Sequence, residues 1–371
     1  MASQEVKTFY FAGDSKVASS LGTSLEAAGF TKASVSEADV VFTYCVSESA
    51  LEDLYYDSKG LLQSSKKDAV LIDLSPSTVS FAQELCAMGS VSEKHVLDAP
   101  LVVQNIVLSQ AFSEKTNLAL LIGGSEEVFK RAEPMLRAIA AKVMWMGKSG
   151  CGQAAKVALT LTSAAALVGI VEAYSSLKSS EIQEAVVDQE DYLDVVLALR
   201  MLTPAQEAFI EAMEQDEFEG TSFTLEHLMG ELAAALACVD DGDAILPQAE
   251  ACFRLMELLA MVGGVTYSPA ALKLFLLMKK LARSTGLIGR VQKALMIMVM
   301  MIAKDMSARA VMTMSAIADT ITIIMVLNLE VVISAFLQTN VVVRRCEVAE
   351  VRGHRYWKST PKVRLFRRGS S

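Results

Sequence analysis

The sequence predicts an α/β fold, a Rossmann-like parallel sheet domain followed by an all-helical domain. Three observations carry this. Over the first 150 residues, short β-branched apolar runs alternate with segments of helical period, the signature of βαβ units and a parallel sheet. From Ala154 onward a long stretch of small and apolar residues opens a helical series instead. The composition, 52% hydrophobic and 21% charged over 371 residues, is that of a globular chain with room for two domains.

Each element follows from its local pattern. Thr8–Ala12 reads as a short buried strand and Val17–Ala28 as a helix that Gly29 stops. Val40–Tyr44 is the next apolar run, and Ser49–Asp57 is compatible with a helix. Ala69–Leu74 predicts a strand, Thr78–Met88 a helix, and Val96–Leu97 and Leu118–Ile122 further strands. Glu126–Ala140 predicts a helix and Val143–Met146 a last short strand. Between Phe30 and Glu37 there is too little chain for a second strand, a loop and a further helix, so none is expected. Parallel sheets of this kind bind ligands at the carboxyl ends of their strands.

Charge and residue usage exclude several classes. A formal net charge of −9 argues against a general nucleic-acid binder. Six scattered cysteines without CxxC spacing read as reduced thiols in a cytoplasmic protein. The three histidines, His95, His227 and His354, have no metal-ligand spacing, so no metal site is expected. The opening MASQEVKTFYFAG is too polar to predict a signal peptide.

The turn after the first strand reads Gly13-Asp14-Ser15-Lys16-Val17-Ala18. A dinucleotide fingerprint, G-x-G-x-x-G, brings backbone N–H groups to a pyrophosphate at a helix N-terminus. Only the first glycine is present. Ser15 and Ala18 are small enough for close approach, whereas the Asp14 charge opposes a phosphate.

Three further segments carry a resemblance. The first runs from Ala38-Asp39-Val40-Val41-Phe42-Thr43 through Gly60-Leu61-Leu62 to Ile72-Asp73-Leu74-Ser75. The second is Asp98-Ala99-Pro100, followed by Leu120-Leu121-Ile122-Gly123-Gly124. The third is Gly147-Lys148-Ser149-Gly150-Cys151-Gly152-Gln153-Ala154-Ala155-Lys156, which contains the full pattern G-x-x-G-x-G-x-x-x-K. In order and spacing these resemble the β-hydroxyacid dehydrogenase family, which includes 3-hydroxyisobutyrate dehydrogenases, from about residue 7 to about residue 280. The resemblance implies an oxidoreductase using NAD or NADP on a small hydroxyacid or related carbonyl compound. It makes Lys156 the catalytic general acid/base. It places Gly13, Ser15, Ala18, Thr43 and Ser75 at the cofactor, with Val46 in the loop beside it. Asp98, Gly150, Gly152 and Thr160 fall at the substrate.

Several family positions are altered. The asparagine expected one turn after the lysine is Thr160. The family's D-x-P-V-S-G-G loop is Asp98-Ala99-Pro100-Leu101-Val102-Val103-Gln104 here, without the serine and glycines that hold a substrate carboxylate. The family's Lys-Asp pair is Gly230-Glu231. Two readings follow: an enzyme for a less anionic substrate, or a catalytically inactive relative serving as a binding or scaffolding protein.

The domains expected are residues 1–150, a Rossmann-like dinucleotide-binding domain; 151–283, a helical domain opened by a long interdomain helix; and 284–371, an extension. The extension is apolar at Leu295–Ala303 and Thr320–Leu337. It then turns basic, with nine Arg or Lys against two acids from Gln338 onward. Neither apolar run has the length and freedom from charge of a membrane span. The basic end reads as an unstructured extension, with binding to an acidic surface or nucleic acid as the other reading. His227 reads as a surface or satisfied histidine. The resemblance implies a homo-oligomer and a small-molecule substrate, and the net charge predicts no nucleic-acid partner for the chain as a whole.

Overall fold

In the computed structural model the residues described are 6–177, 202–239, 244–261, 263–276, 346–351 and 354–359. They fall into two units, residues 1–290 and 291–371. The first begins with β1 (Thr8–Gly13), α1 (Ser15–Ala27), β2 (Thr31–Lys32), β3 (Val40–Tyr44), α2 (Glu48–Tyr56), α3 (Leu61–Ser64) and β4 (Val70–Asp73). It continues through α4 (Val79–Val91), β5 (His95–Asp98), β6 (Leu101–Val103), β7 (Leu118–Gly123), α5 (Glu126–Ile139) and β8 (Lys142–Gly147).

These strands form one sheet in the order β2-β1-β3-β4-β5-β7-β6, with β8 also paired to β7. Every residue of β3 and β4 is buried, which is why both read as unbroken apolar runs. Helix α1 buries Val17, Leu21 and Leu25, one residue per turn along a single stripe. Its end at Gly29, with φ +92°, agrees with the expected stop.

Two expectations are corrected. A second strand exists: β2 pairs parallel with β1 at Thr8–Thr31 and Phe9–Lys32, and it is only two residues long. It is exposed, so no apolar pattern marks it. The sheet is also not wholly parallel, because β5 and β6 both run antiparallel to β7, with Asp98 opposite Gly123 and Leu101 opposite Leu120. The chain leaves β5 through Ala99 and Pro100 and continues along β7 in one register. A parallel return would need a crossover of a dozen or more residues there.

The helices come next: α6 (Cys151–Leu177), α7 (Pro204–Glu214), α8 (Leu225–Ala237), α9 (Pro247–Met261) and the single turn α10 (Lys273–Leu276). By length and composition α6 is apolar enough to cross a membrane. Here it packs against β7, α8 and α9 and buries Ala164, Val171 and Tyr174. A reciprocal cap between Thr203 and Gln206 starts α7. Buried Lys273 lies 2.5 Å from Asp216 Oδ1 and 5.3 Å from the centre of the Phe218 ring.

In the second unit the described residues form one antiparallel hairpin, β9 (Cys346–Val351) with β10 (His354–Ser359). An unstructured extension was expected there. The charges of this segment alternate with Val348, Val351, Tyr356 and Trp357, residues that favour strands. Both apolar runs of the extension, Leu295–Ala303 and Thr320–Leu337, lie outside the described residues.

Candidate functional site

The carboxyl ends of β1, β3, β4 and β5 bring Gly13, Thr43, Asp73 and Asp98 to one edge of the sheet. Thr43 and Ser75 are fully buried there. The Thr43 hydroxyl donates to Asp73 Oδ1 at 3.1 Å and lies 3.0 Å from the Tyr55 hydroxyl. The Ser75 amide donates to the same Asp73 oxygen at 3.0 Å, and the Ser75 hydroxyl accepts the Cys45 amide at 2.9 Å. Both side chains are therefore engaged within the sheet edge. Burial pushes the Asp73 carboxyl up to about 7, against hydrogen bonds from Ser75 and Thr43 that favour its charged form. Burial likewise raises the Cys45 thiol to about 11, so Cys45 is no thiolate nucleophile at neutral pH.

The glycine-rich turn is fixed to this edge by Asp98. Its carboxylate accepts the Gly150 amide at 2.8 Å and the Gln153 amide at 3.2 Å. Gln153 in turn donates from Nε2 to the Ser75 carbonyl at 2.8 Å. Asp98, Gly150 and Gly152 thus set where α6 begins. One turn further on, α6 presents Lys156 and Thr160 towards α8. Lys156 Nζ lies 2.7 Å from Glu231 Oε1, with side-chain exposures of 8% and 9%, and the Thr160 hydroxyl donates to Glu231 Oε2 at 3.4 Å.

The turn after β1 leads straight into α1 and is held by Gly13. Gly13 has φ +101°, and a Cβ there would lie 2.1 Å from the Tyr44 carbonyl oxygen, so glycine is required. Helix α1 starts two residues later. Its first donors are taken by its own N-cap: Asp14 Oδ1 accepts the Lys16 amide at 2.8 Å and the Val17 amide at 2.9 Å. Ser15 is exposed, and Ala18 continues the helix by donating to the Asp14 carbonyl. The Asp14 carboxylate thus occupies the helix-start amides to which a dinucleotide diphosphate would bind.

The altered positions have structural counterparts. In and just after β6, the Leu101 and Gln104 amides donate to the Leu74 and Asn117 carbonyls, and all three strand residues pair with β7. At Gly230 a Cβ would lie 2.0 Å from the Val46 carbonyl oxygen. A lysine side chain has no room here, because α8 lies directly on the loop after β3. Gly230→Ala should therefore lower the thermal midpoint, at a cost of about 1–3 kcal/mol for forced overpacking. An unchanged midpoint would mean that the two backbones part freely.

Three side chains outside the expected set belong to the site. In the sequence Glu231 is only the acid of an altered pair, yet in the structure it pairs with Lys156. Gln153 sits inside the recognised motif without any signal of its own. His227 is buried, not at the surface, and its ring lies 5.3 Å from both Phe112 and Phe223 and 6.0 Å from Tyr44. Tyr44 is buried within electrostatic reach of both Glu231 and Asp14, which together with burial hold its hydroxyl well above the usual tyrosine range. No cluster able to hold a metal occurs among the described residues.

Residues 1–147 match the family model described as the NAD binding domain of 6-phosphogluconate dehydrogenase. An uncharacterized oxidoreductase of Bacillus subtilis is 28% identical over 147 residues, 40% of this chain and 49% of that protein. A probable 3-hydroxyisobutyrate dehydrogenase of Mycobacterium tuberculosis is 34% identical over 140 residues, 38% of this chain and 45% of that protein. The chain thus spans about half the length of these curated relatives, or less. Among solved structures, the 3-hydroxyisobutyrate dehydrogenase of Mycobacterium tuberculosis superposes with a TM-score of 0.61 at 20% identity, covering 73% of this chain and 98% of that one. The Salmonella typhimurium 3-hydroxyisobutyrate dehydrogenase gives 0.60 at 16% identity, covering 72% and 99%. Identities this low speak for the fold alone, a Rossmann domain followed by helices. Over its first 147 residues the chain is thus similar to the NAD binding domain of 6-phosphogluconate dehydrogenase, and in fold it is similar to 3-hydroxyisobutyrate dehydrogenases.

Proposed function

We propose that this chain is an NAD(P)-dependent oxidoreductase acting on a small hydroxyacid or a related, less anionic carbonyl compound, with Lys156 as its general acid/base. The observation that carries this reading is the buried Lys156–Glu231 pair, close after a complete glycine turn that Asp98 holds. A bound nicotinamide would supply or accept the hydride at the substrate carbon. Lys156 Nζ would give a proton to the substrate oxygen during reduction and take it back during oxidation. Glu231 orients the ammonium, and Thr160 holds the second carboxylate oxygen. Asp98, through Gly150 and Gln153, is a positioning residue for α6. The engaged amides of β6 and the glycine at 230 leave a substrate carboxylate without its usual anchors. This favours an uncharged carbonyl over a hydroxyacid.

Residues 1–150 form the cofactor half of this proposal and 151–283 the helical half, in a cytoplasmic homo-oligomer. Titration of the protein with NADH and NADPH, followed by nicotinamide fluorescence, tests the reading. Saturation at micromolar concentration is expected, and Lys156→Ala should keep it while losing turnover. A second reading, a catalytically silent binding protein, is favoured by one observation, the Asp14 carboxylate already seated on the first amides of α1. Absence of binding at millimolar nucleotide would select it.

A further inference from the structure

We propose that Asp14 is a built-in competitor for the cofactor's diphosphate, so that nucleotide affinity in this chain is set by displacement of its carboxylate. The inference rests on the cofactor reading above and adds to it an affinity-determining residue. Helix N-termini attract anions because their first amides lack intrahelical partners. Here an anion of the chain itself already fills that place, with Asp14 Oδ1 on the Lys16 and Val17 amides.

A second observation points to a ligand beside the turn. Asp14 and Lys16 line a cavity of about 560 Å³ together with Ser222, Glu226, His227 and Tyr267. Two buried polar atoms of these walls have no partner, Ser222 Oγ and His227 Nε2. His227 is 6% exposed, and its Nδ1 accepts the Thr224 amide at 3.1 Å, which leaves the proton of the neutral ring on Nε2. Burial holds its pKa down to about 4, so the ring is neutral at physiological pH and Nε2–H is a donor without an acceptor. Such a group is costly unless a ligand supplies the acceptor. Phosphate oxygens would. One wall therefore offers donors to an anion while the facing turn carries a carboxylate. Asp14 is close enough to His227 for its charge to act on the ring. With Glu219 and Glu226 also present and Lys16 the one cation among the lining residues, the cavity repels a diphosphate until Asp14 turns away.

The test compares NADH and NADPH binding to the native chain, Asp14→Asn and Asp14→Gly, with a thermal melt on each. Asparagine keeps the helix cap and removes the charge, and glycine at an N-cap costs only a few tenths of a kcal/mol, so both variants should fold. We expect both to bind at least one nucleotide ten times or more tighter than the native chain. Equal affinities, or weaker binding by the variants, would overturn the competitor and leave the dehydrogenase reading standing. No binding by any of the three at millimolar nucleotide would overturn both.

Discussion

Lys156→Met is expected to abolish turnover and to cost the protein about 3–5 kcal/mol of stability, because it leaves Glu231 as an uncompensated buried charge. The pair sits 2.7 Å apart between α6 and α8 with both side chains under a tenth exposed, so solvent screens it little. The loss should appear as a shift of the denaturant midpoint. Adding Glu231→Leu to Lys156→Met should restore much of it, since replacing both partners with apolar groups removes the stranded charge. Turnover behaves differently. General acid/base catalysis contributes about 10²–10⁴-fold, and no second substitution that lacks a proton donor returns it. A double variant that regains stability but not activity separates the two roles of Lys156. Should the single variant melt like the native protein, the pair is not the buried link between helices described here. Should it retain turnover, another group moves the proton.

The fold was legible wherever burial left a periodic trace. Strands β3 and β4 are covered on both faces, so their apolar runs mark them within a residue. Helix α1 shows its buried stripe at Val17, Leu21 and Leu25. Strand β2 left no trace because Thr31 and Lys32 are exposed and their contribution is backbone pairing to β1. The antiparallel pairing of β5 and β6 with β7 was hidden for a similar reason: Leu101-Val102-Val103 reads the same in either direction, and only the register against β7 decides. At the site, Lys156 and the glycine turn could be found because that motif is contiguous. Its partner could not, since Glu231 lies 75 residues away and is brought close by α8 packing on α6. The Asp14 cap is local and was readable as a charge beside a phosphate turn. That its carboxylate occupies the first amides of α1 needed coordinates.

Asp73 predicts a pH-dependent stability. Burial raises its carboxyl from 3.8 to about 7 in the folded chain, with the neighbouring Asp98 adding to the rise. A carboxyl whose folded pKa exceeds its unfolded value binds more protons when folded, so between pH 4 and pH 7 stability falls as pH rises. Below that window both states are protonated, and above it both are ionised. Over about three pH units the change is on the order of 4 kcal/mol at most, at roughly 1.4 kcal/mol per unit. Asp73→Asn imitates the protonated acid: its carbonyl oxygen can accept from the Ser75 amide and the Thr43 hydroxyl, and it does not ionise. The stability of the variant relative to the native chain should therefore increase from pH 4.5 to pH 7.5 and then level off. Groups elsewhere titrate in both proteins and cancel in the difference. Two unfolding curves that stay parallel across this range would mean that Asp73 ionises normally and that the edge of the sheet carries its charge. A widening gap would place the extra proton of the folded chain on the Asp73 carboxyl, within the hydrogen bonds from Thr43 and Ser75.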